Sequence, residues 1–255
     1  MIKTSGIVLR TTKYGEKSLI VTILTQDFGK ISAMASDVRT KKSRMIAGLQ
    51  LFAYSEIVMY KAKSKNGLYH LDEMTLLEGF SSLRTDLDKM AYASYFAECA
   101  NGATSEEGSE EEVLRLLLNT LFALDKDLCS YEKIKTVFEW RLAGISGYAP
   151  LLDSCGSCGT KEDIFGLSIS DGTVLCKKCS EGKMGVAELS AGMRKVVGYI
   201  TSAESKKIFS FDANEKTINY LSRISEGYIA GQLEREFKTL TYLKKVMELN
   251  SPDKG

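Results

Sequence analysis

The chain has 255 residues, of which 44% are hydrophobic and 26% are charged, so it has enough apolar surface for buried cores and is not a disordered chain. Its net charge of +1 hides two opposite parts: the first 66 residues carry 12 Lys and Arg against 4 acids, a net +8, and the other 189 carry a net −7. A basic module joined to an acidic body suggests a polyanionic partner, although a solvated basic surface without a partner has the same composition.

Residues 1–80 have the pattern of short β-strands. The runs Ser5–Arg10, Ser18–Thr25 and Lys30–Ser36 are rich in Val, Ile and Thr and are separated by glycine turns. Residues 50–61 and 68–77 predict two longer strands around an Asn-Gly hairpin signal. Five basic strands predict a small closed barrel. The OB-fold is the commonest barrel of this kind that binds nucleic acid, and an SH3-like barrel fits the strand count almost as well.

Helical spacing replaces the strand pattern after residue 80. It covers 84–100, 113–128 and 131–145, and it returns over 190–202, 215–233 and 236–249. We therefore predict an α+β multidomain protein in which a five-stranded OB-like barrel (1–80) is followed by a helical body (81–150 and 186–250). A cysteine-rich module (151–185) is inserted in that body.

Four of the six cysteines form two C-x-x-C pairs, which are Cys155 with Cys158 and Cys176 with Cys179. This spacing is typical of a zinc ribbon, and four thiolates suit tetrahedral Zn²⁺. Four protein ligands leave no position for water or substrate, so we predict one structural zinc ion per chain. Thiol redox chemistry and four free thiols are the alternatives.

The sequence lacks the usual signatures of an enzyme. His70 is its one histidine, and it lies inside a predicted strand. No phosphate-binding loop, dinucleotide fingerprint or zinc-deaminase element is present. We expect a non-enzymatic protein without a small-molecule substrate. There is also no apolar run long enough for a membrane span and no secretory signal, so we expect a cytoplasmic protein.

The basic residues of the predicted barrel are the candidate DNA contacts. We predict that Lys41, Lys42 and Arg44, between the third and fourth strands, contact phosphates. Arg10, Lys13, Lys30 and Arg39 are predicted to lie beside them. Tyr14 and Phe28 adjoin turns and are candidates for base stacking, whereas Phe52, Tyr54 and Tyr60 are expected to pack inward.

Two blocks of residues resemble the RecO family of recombination mediators. The first comprises Gly6–Arg10, Tyr14–Glu16, Thr25, Gly29-Lys30, Arg39, Ser43-Arg44 and Leu49-Gln50. The second comprises Phe138-Glu139, Arg141-Leu142 and Gly147–Pro150, leading into Cys155-x-x-Cys158-Gly159. The order of barrel, helices, zinc module and helices is also similar, and the resemblance covers nearly the whole chain.

This resemblance implies a nucleoid-associated protein of recombinational DNA repair. Such proteins bind single- and double-stranded DNA, anneal complementary strands, associate with RecR and help to load RecA on DNA coated by single-strand-binding protein (SSB). The resemblance also implies a site for the acidic C-terminal tail of SSB. The candidate cations are Lys133, Lys135 and Arg141 on the third helix and Lys238, Lys244 and Lys245 on the last.

Two alternatives to DNA binding remain open from the residues themselves. An RNA-binding protein of the translation or transcription apparatus would also combine an OB barrel with a zinc ribbon. A zinc hydrolase or deaminase would need an exchangeable water on the metal, which four thiolates do not leave.

Overall fold

The computed structural model of the protein describes residues 1–38, 45–61, 68–106 and 108–250. It divides the chain into two compact units. The first unit contains Met1–Asp125 and Thr239–Gly255, and the second contains Lys126–Lys238. In the described part of the chain, no helix combines the length and apolar character that crossing a lipid bilayer requires.

A closed five-stranded barrel begins the first unit. Its strands are β1 (Ile2–Tyr14), β2 (Ser18–Thr25), β3 (Lys30–Ala35), β4 (Tyr54–Lys61) and β5 (Tyr69–Glu78). Around the barrel they follow the order β1-β2-β3-β5-β4, and β4 pairs again with β1. All neighbours are antiparallel except β3 and β5, which close the barrel in parallel. The strand number and the closure confirm the predicted OB-like barrel.

The long strand β1 pairs with β4 and with β2 along different parts of its length. Its first half pairs with β4 and its second half with β2, and a bulge between Val8 and Arg10 shifts the register. At Gly6 a side chain would not fit, because an added Cβ would lie 2.8 Å from the carbonyl oxygen of Leu24. Alternate residues of the strands, such as Val21, Ile57 and Met59, fill the interior.

Three long helices complete the first unit: α1 (Leu87–Ala103), α2 (Glu111–Asp125) and, from the end of the chain, α7 (Lys238–Asn250). Helix α1 begins where the side chain of Asp86 accepts a hydrogen bond from the backbone N–H of Lys89. Helix α7 begins beside α1, because the carboxylate of Glu98 accepts a hydrogen bond from the backbone N–H of Thr239 at 2.8 Å. A side-chain cap on the first turn thus joins elements that are distant in sequence.

The second unit combines three long helices with a small sheet. The helices are α3 (Tyr131–Ile145), α5 (Ala191–Ser202) and α6 (Glu215–Gln232). Between α3 and α5 lie β6 (Ile164–Ser168), β7 (Thr173–Cys176), the short helix α4 (Lys177–Ser180) and β8 (Val186–Glu188). The strands are arranged in the order β7-β6-β8. Trp140 of α3 packs on Tyr228 of α6 with ring centroids 5.0 Å apart.

The predicted fold class is confirmed, but the helices are grouped differently from the prediction. The sequence pattern assigned residues 81–150 and 186–250 to one helical body. In the structure, α1, α2 and α7 belong to the unit of the barrel, whereas α3, α5 and α6 belong to the unit of the cysteine module. Periodicity identifies a helix and its apolar face but does not identify the element against which that face packs.

Candidate nucleic-acid interface and metal centre

Exposed cations surround the turn between β1 and β2. Arg10 and Lys13 on β1 and Lys17 just before β2 are all exposed, and Tyr14 is 57% exposed. Arg10 follows the bulge and stands opposite Thr22. Two of the predicted DNA contacts, Arg10 and Lys13, therefore lie close together in the chain on accessible barrel surface.

The other predicted DNA contacts differ from these two. Arg39, Lys41, Lys42 and Arg44 lie outside the described residues. Lys30 is partly buried, and its ammonium group donates hydrogen bonds to the carbonyl oxygens of Asn101 at 2.8 Å and Thr104 at 3.0 Å. These carbonyls end helix α1, where a cation also interacts favourably with the helix dipole. The position of Lys30 therefore supports a structural role.

Two of the aromatic residues differ from the sequence expectation. Phe28 packs against the barrel core instead of standing free beside its turn. Tyr60 was expected to face inward, yet it is 47% exposed. Its ring stacks on the imidazole of His70, with centroids 5.3 Å apart and planes 8° from parallel. The alternation of apolar residues in β4 indicates this orientation. Ile57 and Met59 face inward, so the next residue, Tyr60, faces outward.

The four cysteines of the two C-x-x-C pairs come together in the second unit. Their sulphur atoms all lie within 4.8 Å of one another, and those of Cys158 and Cys176 are 3.8 Å apart. A tetrahedral zinc site with bonds of about 2.3 Å requires sulphur atoms about 3.8 Å apart. The donor set and its spacing fit a metal ion of this kind, and Cys155, Cys158, Cys176 and Cys179 would hold it.

Backbone hydrogen bonds shape the turn that carries the first cysteine pair. The N–H of Cys155 donates to the carbonyl of Thr160, and the N–H of Gly159 donates to the carbonyl of Cys155, both at 2.8 Å. Gly159 has φ of +75°, a conformation that favours glycine. At Gly156 an added Cβ would lie 2.6 Å from the hydroxyl of Thr173, so both glycines of the turn are required.

The same backbone favours ionisation of one cysteine. The pKa of Cys155 is lowered to about 6. Burial opposes this ionisation, but the backbone N–H groups of Cys176, Cys158 and Ser157 hydrogen-bond the sulphur and outweigh it. The pKa of Cys179 is raised to about 12, because its thiol shares hydrogen bonds with the sulphurs of Cys176 and Cys158. Of Cys155 and Cys179, Cys155 therefore ionises more readily.

One member of the predicted cation cluster on α3, Lys135, is buried. Only 6% of its side chain is exposed, and its ammonium group lies 3.0 Å from the carboxylate of Glu139 and 3.2 Å from that of Glu226. It also donates to the hydroxyl of Ser222 at 3.2 Å. Lys135 lies on the same helix as Lys133 and Arg141, but it is on the side of α3 that packs against α6.

The other two cations of α3 are also engaged within the second unit. Lys133 donates to the carbonyl of Phe211 at 2.7 Å, and its ammonium group lies 4.3 Å from the centre of the Phe211 ring. Arg141 donates to the backbone carbonyls of Ile200 and Thr201. In contrast, Lys238, Lys244 and Lys245 of α7 are exposed. Of the two predicted cation clusters, the one on α7 is accessible.

Comparison with known proteins assigns the family. The family description "Recombination protein O N terminal" matches residues 1–80, and "Recombination protein O C terminal" matches residues 84–241. A protein of Acetivibrio thermocellus named "DNA repair protein RecO" is 36% identical over 244 residues, which cover 95% of this chain and 96% of that protein.

Further relatives with the same name agree with this assignment. One from Alkaliphilus metalliredigens is 32% identical over 248 residues, which cover 96% of this chain and all of that protein. One from Bacillus pumilus is 31% identical over 228 residues, which cover 89% of this chain and 88% of that protein. The barrel, helices α1 to α6 and the cysteine cluster lie within the residues matched by the two family descriptions, and the chain belongs to the RecO family of DNA repair proteins.

Proposed function

We propose that this DNA repair protein binds single- and double-stranded DNA through its barrel and anneals complementary strands without catalysing a reaction. The observation that carries the proposal is the closed OB-like barrel with exposed Arg10, Lys13 and Lys17 at one turn. Six further bases of the first 66 residues lie in the stretches 39–44 and 62–67. Cations that neutralise phosphates of both strands lower their mutual repulsion and allow pairing.

Two features bear on whether the protein catalyses a reaction, namely its one histidine and its cluster of potential metal ligands. The imidazole of His70 stacks on Tyr60, and among the described residues the single group of three or more potential metal ligands is the four-cysteine cluster. Four thiolates saturate a tetrahedral metal and leave no position for a reactive water. This arrangement supports a protein that binds and positions DNA.

We propose one structural Zn²⁺ per chain in this cluster. Bound there, the metal would join the turn at Cys155 and Cys158 to the end of β7 and the start of α4. Because such a site does not exist in the unfolded chain, its binding free energy contributes directly to folding. The exposed Lys177 and Lys178 beside the cluster would offset part of the negative charge of a tetrathiolate centre.

Family membership supports the partners that we propose. The protein would associate with RecR and help to load RecA on SSB-coated DNA in the bacterial cytoplasm, at the nucleoid. For the acidic tail of SSB, the exposed Lys238, Lys244 and Lys245 of α7 form the accessible candidate site. Complementary charge would guide the tail to this helix.

Strand annealing tests the principal proposal. Purified protein is mixed with complementary oligonucleotides, with and without SSB, and duplex formation is followed by fluorescence. We expect Arg10→Ala/Lys13→Ala/Lys17→Ala to bind more weakly and to anneal more slowly than wild type. The matched control removes three exposed lysines of the second unit, Lys195, Lys206 and Lys216, and should anneal as wild type does.

Two further measurements complete this test. A barrel variant that anneals at the wild-type rate would contradict the DNA interface. Side-by-side affinity for single-stranded RNA and DNA separates the proposal from an RNA-binding protein, which would bind RNA more tightly. For the SSB tail, a fluorescent tail peptide should lose affinity when the three α7 lysines become glutamate, and should keep it when Lys195, Lys206 and Lys216 do.

A further inference from the structure

Four side chains stand in register on the outside of the barrel. Ile20 of β2 lies opposite Met34 of β3, Met34 lies opposite His70 of β5, and His70 lies opposite Tyr60 of β4. Residues paired in this way point to the same face of a sheet. We call Ile20, Met34, His70 and Tyr60 the outer row. It crosses three gaps between strands and is therefore about 14 Å long.

The alternation of each strand places the outer row away from the core. The sequence neighbours Val21, Ala33, Leu71 and Met59 are all buried members of the barrel interior. Side chains alternate between faces along a strand, so the outer row faces outward. Ile20, Met34 and His70 are partly exposed, and Tyr60 is 47% exposed.

The chemistry of the outer row differs from that of the charged surface around it. Two of its members are aliphatic or thioether groups, and the other two are flat rings stacked on each other. A stacked ring pair that remains accessible presents π-surface, and every nucleic-acid base can stack on such a surface.

Cations lie beside both ends of the outer row, but only one of them is on its face. Lys61 follows Tyr60 on the opposite face of β4, and its ammonium group lies 6.0 Å from the centre of the Tyr69 ring on β5. At the other end, Ile20 lies opposite Thr12 of β1, and the exposed Arg10, two residues before Thr12, is on the same face. A strand that follows the row would therefore have Arg10 for its phosphates at the β1 end and apolar surface for its bases along the row.

We infer that the outer row is a stacking track for the bases of single-stranded DNA, with Tyr60 on His70 as its principal platform. The inference rests on the proposed function and adds the feature that distinguishes the two forms of DNA. Cations neutralise the phosphates of single and double strands alike. Bases inside a duplex are already stacked on one another, so only a single strand can place a base on Tyr60.

Equilibrium binding tests the inference with three probes: an oligo-dT, the same oligonucleotide with abasic sites, and a duplex of equal length. Stacking contributes about 1–3 kcal/mol per base, so Tyr60→Ala should weaken oligo-dT binding by about 5- to 150-fold. Binding of this variant to the duplex and to the abasic strand should stay within about twofold of wild type. Tyr60→Phe keeps the ring and should bind oligo-dT as wild type does.

The control variant is Tyr148→Ala, which removes a tyrosine of similar exposure, 41%, from the second unit. It should leave all three affinities unchanged. If wild type binds none of the probes, the proposed function fails and the inference fails with it. If wild type binds and Tyr60→Ala binds oligo-dT equally tightly, the stacking track alone is overturned.

A fluorescent variant decides the question even if Tyr60→Ala does not fold. Tyr60→Trp keeps an aromatic ring and adds an exposed indole, while the natural Trp140 is completely buried in the second unit. Oligo-dT should quench the new fluorescence strongly, and the abasic strand should quench it little. Equal quenching by both strands would overturn base stacking at this position.

Discussion

The barrel and the second unit place their charged groups in opposite environments. Around the β1–β2 turn, Arg10, Lys13 and Lys17 are exposed. In the second unit, Lys135 is buried between two carboxylates, and the sulphur atoms of four cysteines lie within 4.8 Å of one another. An exposed cation stays hydrated until a phosphate displaces its water. A buried charge has lost that water and is stabilised only by an oppositely charged or hydrogen-bonding group inside the fold. Local charge density therefore identifies a binding surface only when the cations are also accessible.

The largest effect should come from the four-cysteine cluster. Cys155→Ser removes a ligand, and the metal-binding free energy of such sites is on the order of 10 kcal/mol. We expect loss of zinc by elemental analysis and a lower melting temperature or lower solubility. Cys129→Ser is the control, because Cys129 belongs to the second unit but not to the cluster. Wild-type protein purified without chelator that contains no zinc would contradict the site.

The second-largest loss of stability should follow from disrupting the buried ion pairs of α3. Lys135→Met leaves Glu139, whose side chain is fully buried, without its cation. Removing one partner of a buried pair costs about 3–5 kcal/mol of unfolding free energy. Urea denaturation followed by the fluorescence of Trp140, the one tryptophan, measures this loss. Lys216→Met on the exposed surface of α6 should cost less than about 0.5 kcal/mol. An equal loss of unfolding free energy in both variants would contradict the difference between the buried Lys135 and the exposed Lys216.

The same ion pairs should make stability depend on alkaline pH. Burial lowers the pKa of Lys135, but the charges of Glu139 and Glu226 outweigh burial and raise it above its ordinary value. A raised pKa in the folded state stabilises the fold fully below about pH 10.4, and this stabilisation is lost as the pH rises through the folded pKa. Wild type should therefore lose more stability than Lys135→Met as the pH rises above about 10.4. Parallel pH profiles of the two proteins would contradict this assignment.

A moderate effect on DNA affinity should come from the basic stretch between β3 and β4. Lys41→Ala/Lys42→Ala/Arg44→Ala should weaken binding about equally across DNA sequences. It should also reduce the slope of log affinity against log salt by roughly 0.7–0.9 for each lost contact. Titrations at several salt concentrations measure both quantities. Wild-type affinity at moderate salt would show that these residues do not contact DNA.

The smallest effect on DNA affinity should come from Lys30. Its hydrogen bonds to the end of α1 are interactions of a charged donor, and Lys30→Met should cost about 1.5–3 kcal/mol of stability for each bond that is not replaced by water. Its DNA affinity should change less than that of Arg10→Ala. If Lys30→Met instead weakens DNA binding as strongly as Arg10→Ala at unchanged stability, Lys30 belongs to the interface as the sequence predicted.

Some boundaries of helices and strands were predicted correctly from the local sequence pattern, and others were not. The predicted strand Ser18–Thr25 and helix 131–145 match β2 and α3. The predicted strand over 50–61 begins only at Tyr54, because Phe52 has φ of +67° in a turn. The backbone N–H of Phe52 donates to the carbonyl of Val8, which is distant in sequence. A tertiary hydrogen bond of this kind cannot be read from the propensities of neighbouring residues.

The sequence by itself determined the barrel, the helices, the four cysteines that could hold a metal ion and the family, because each depends on residue type at a short, regular spacing. The tertiary structure decided which side chains are accessible. Lys30 is held by carbonyls more than 70 residues away, Lys135 has distant partners in Ser222 and Glu226, and Tyr60 belongs to an outer row that crosses four strands. Burial and cross-strand register depend on contacts between distant segments, and no local pattern records which distant segment will be the neighbour.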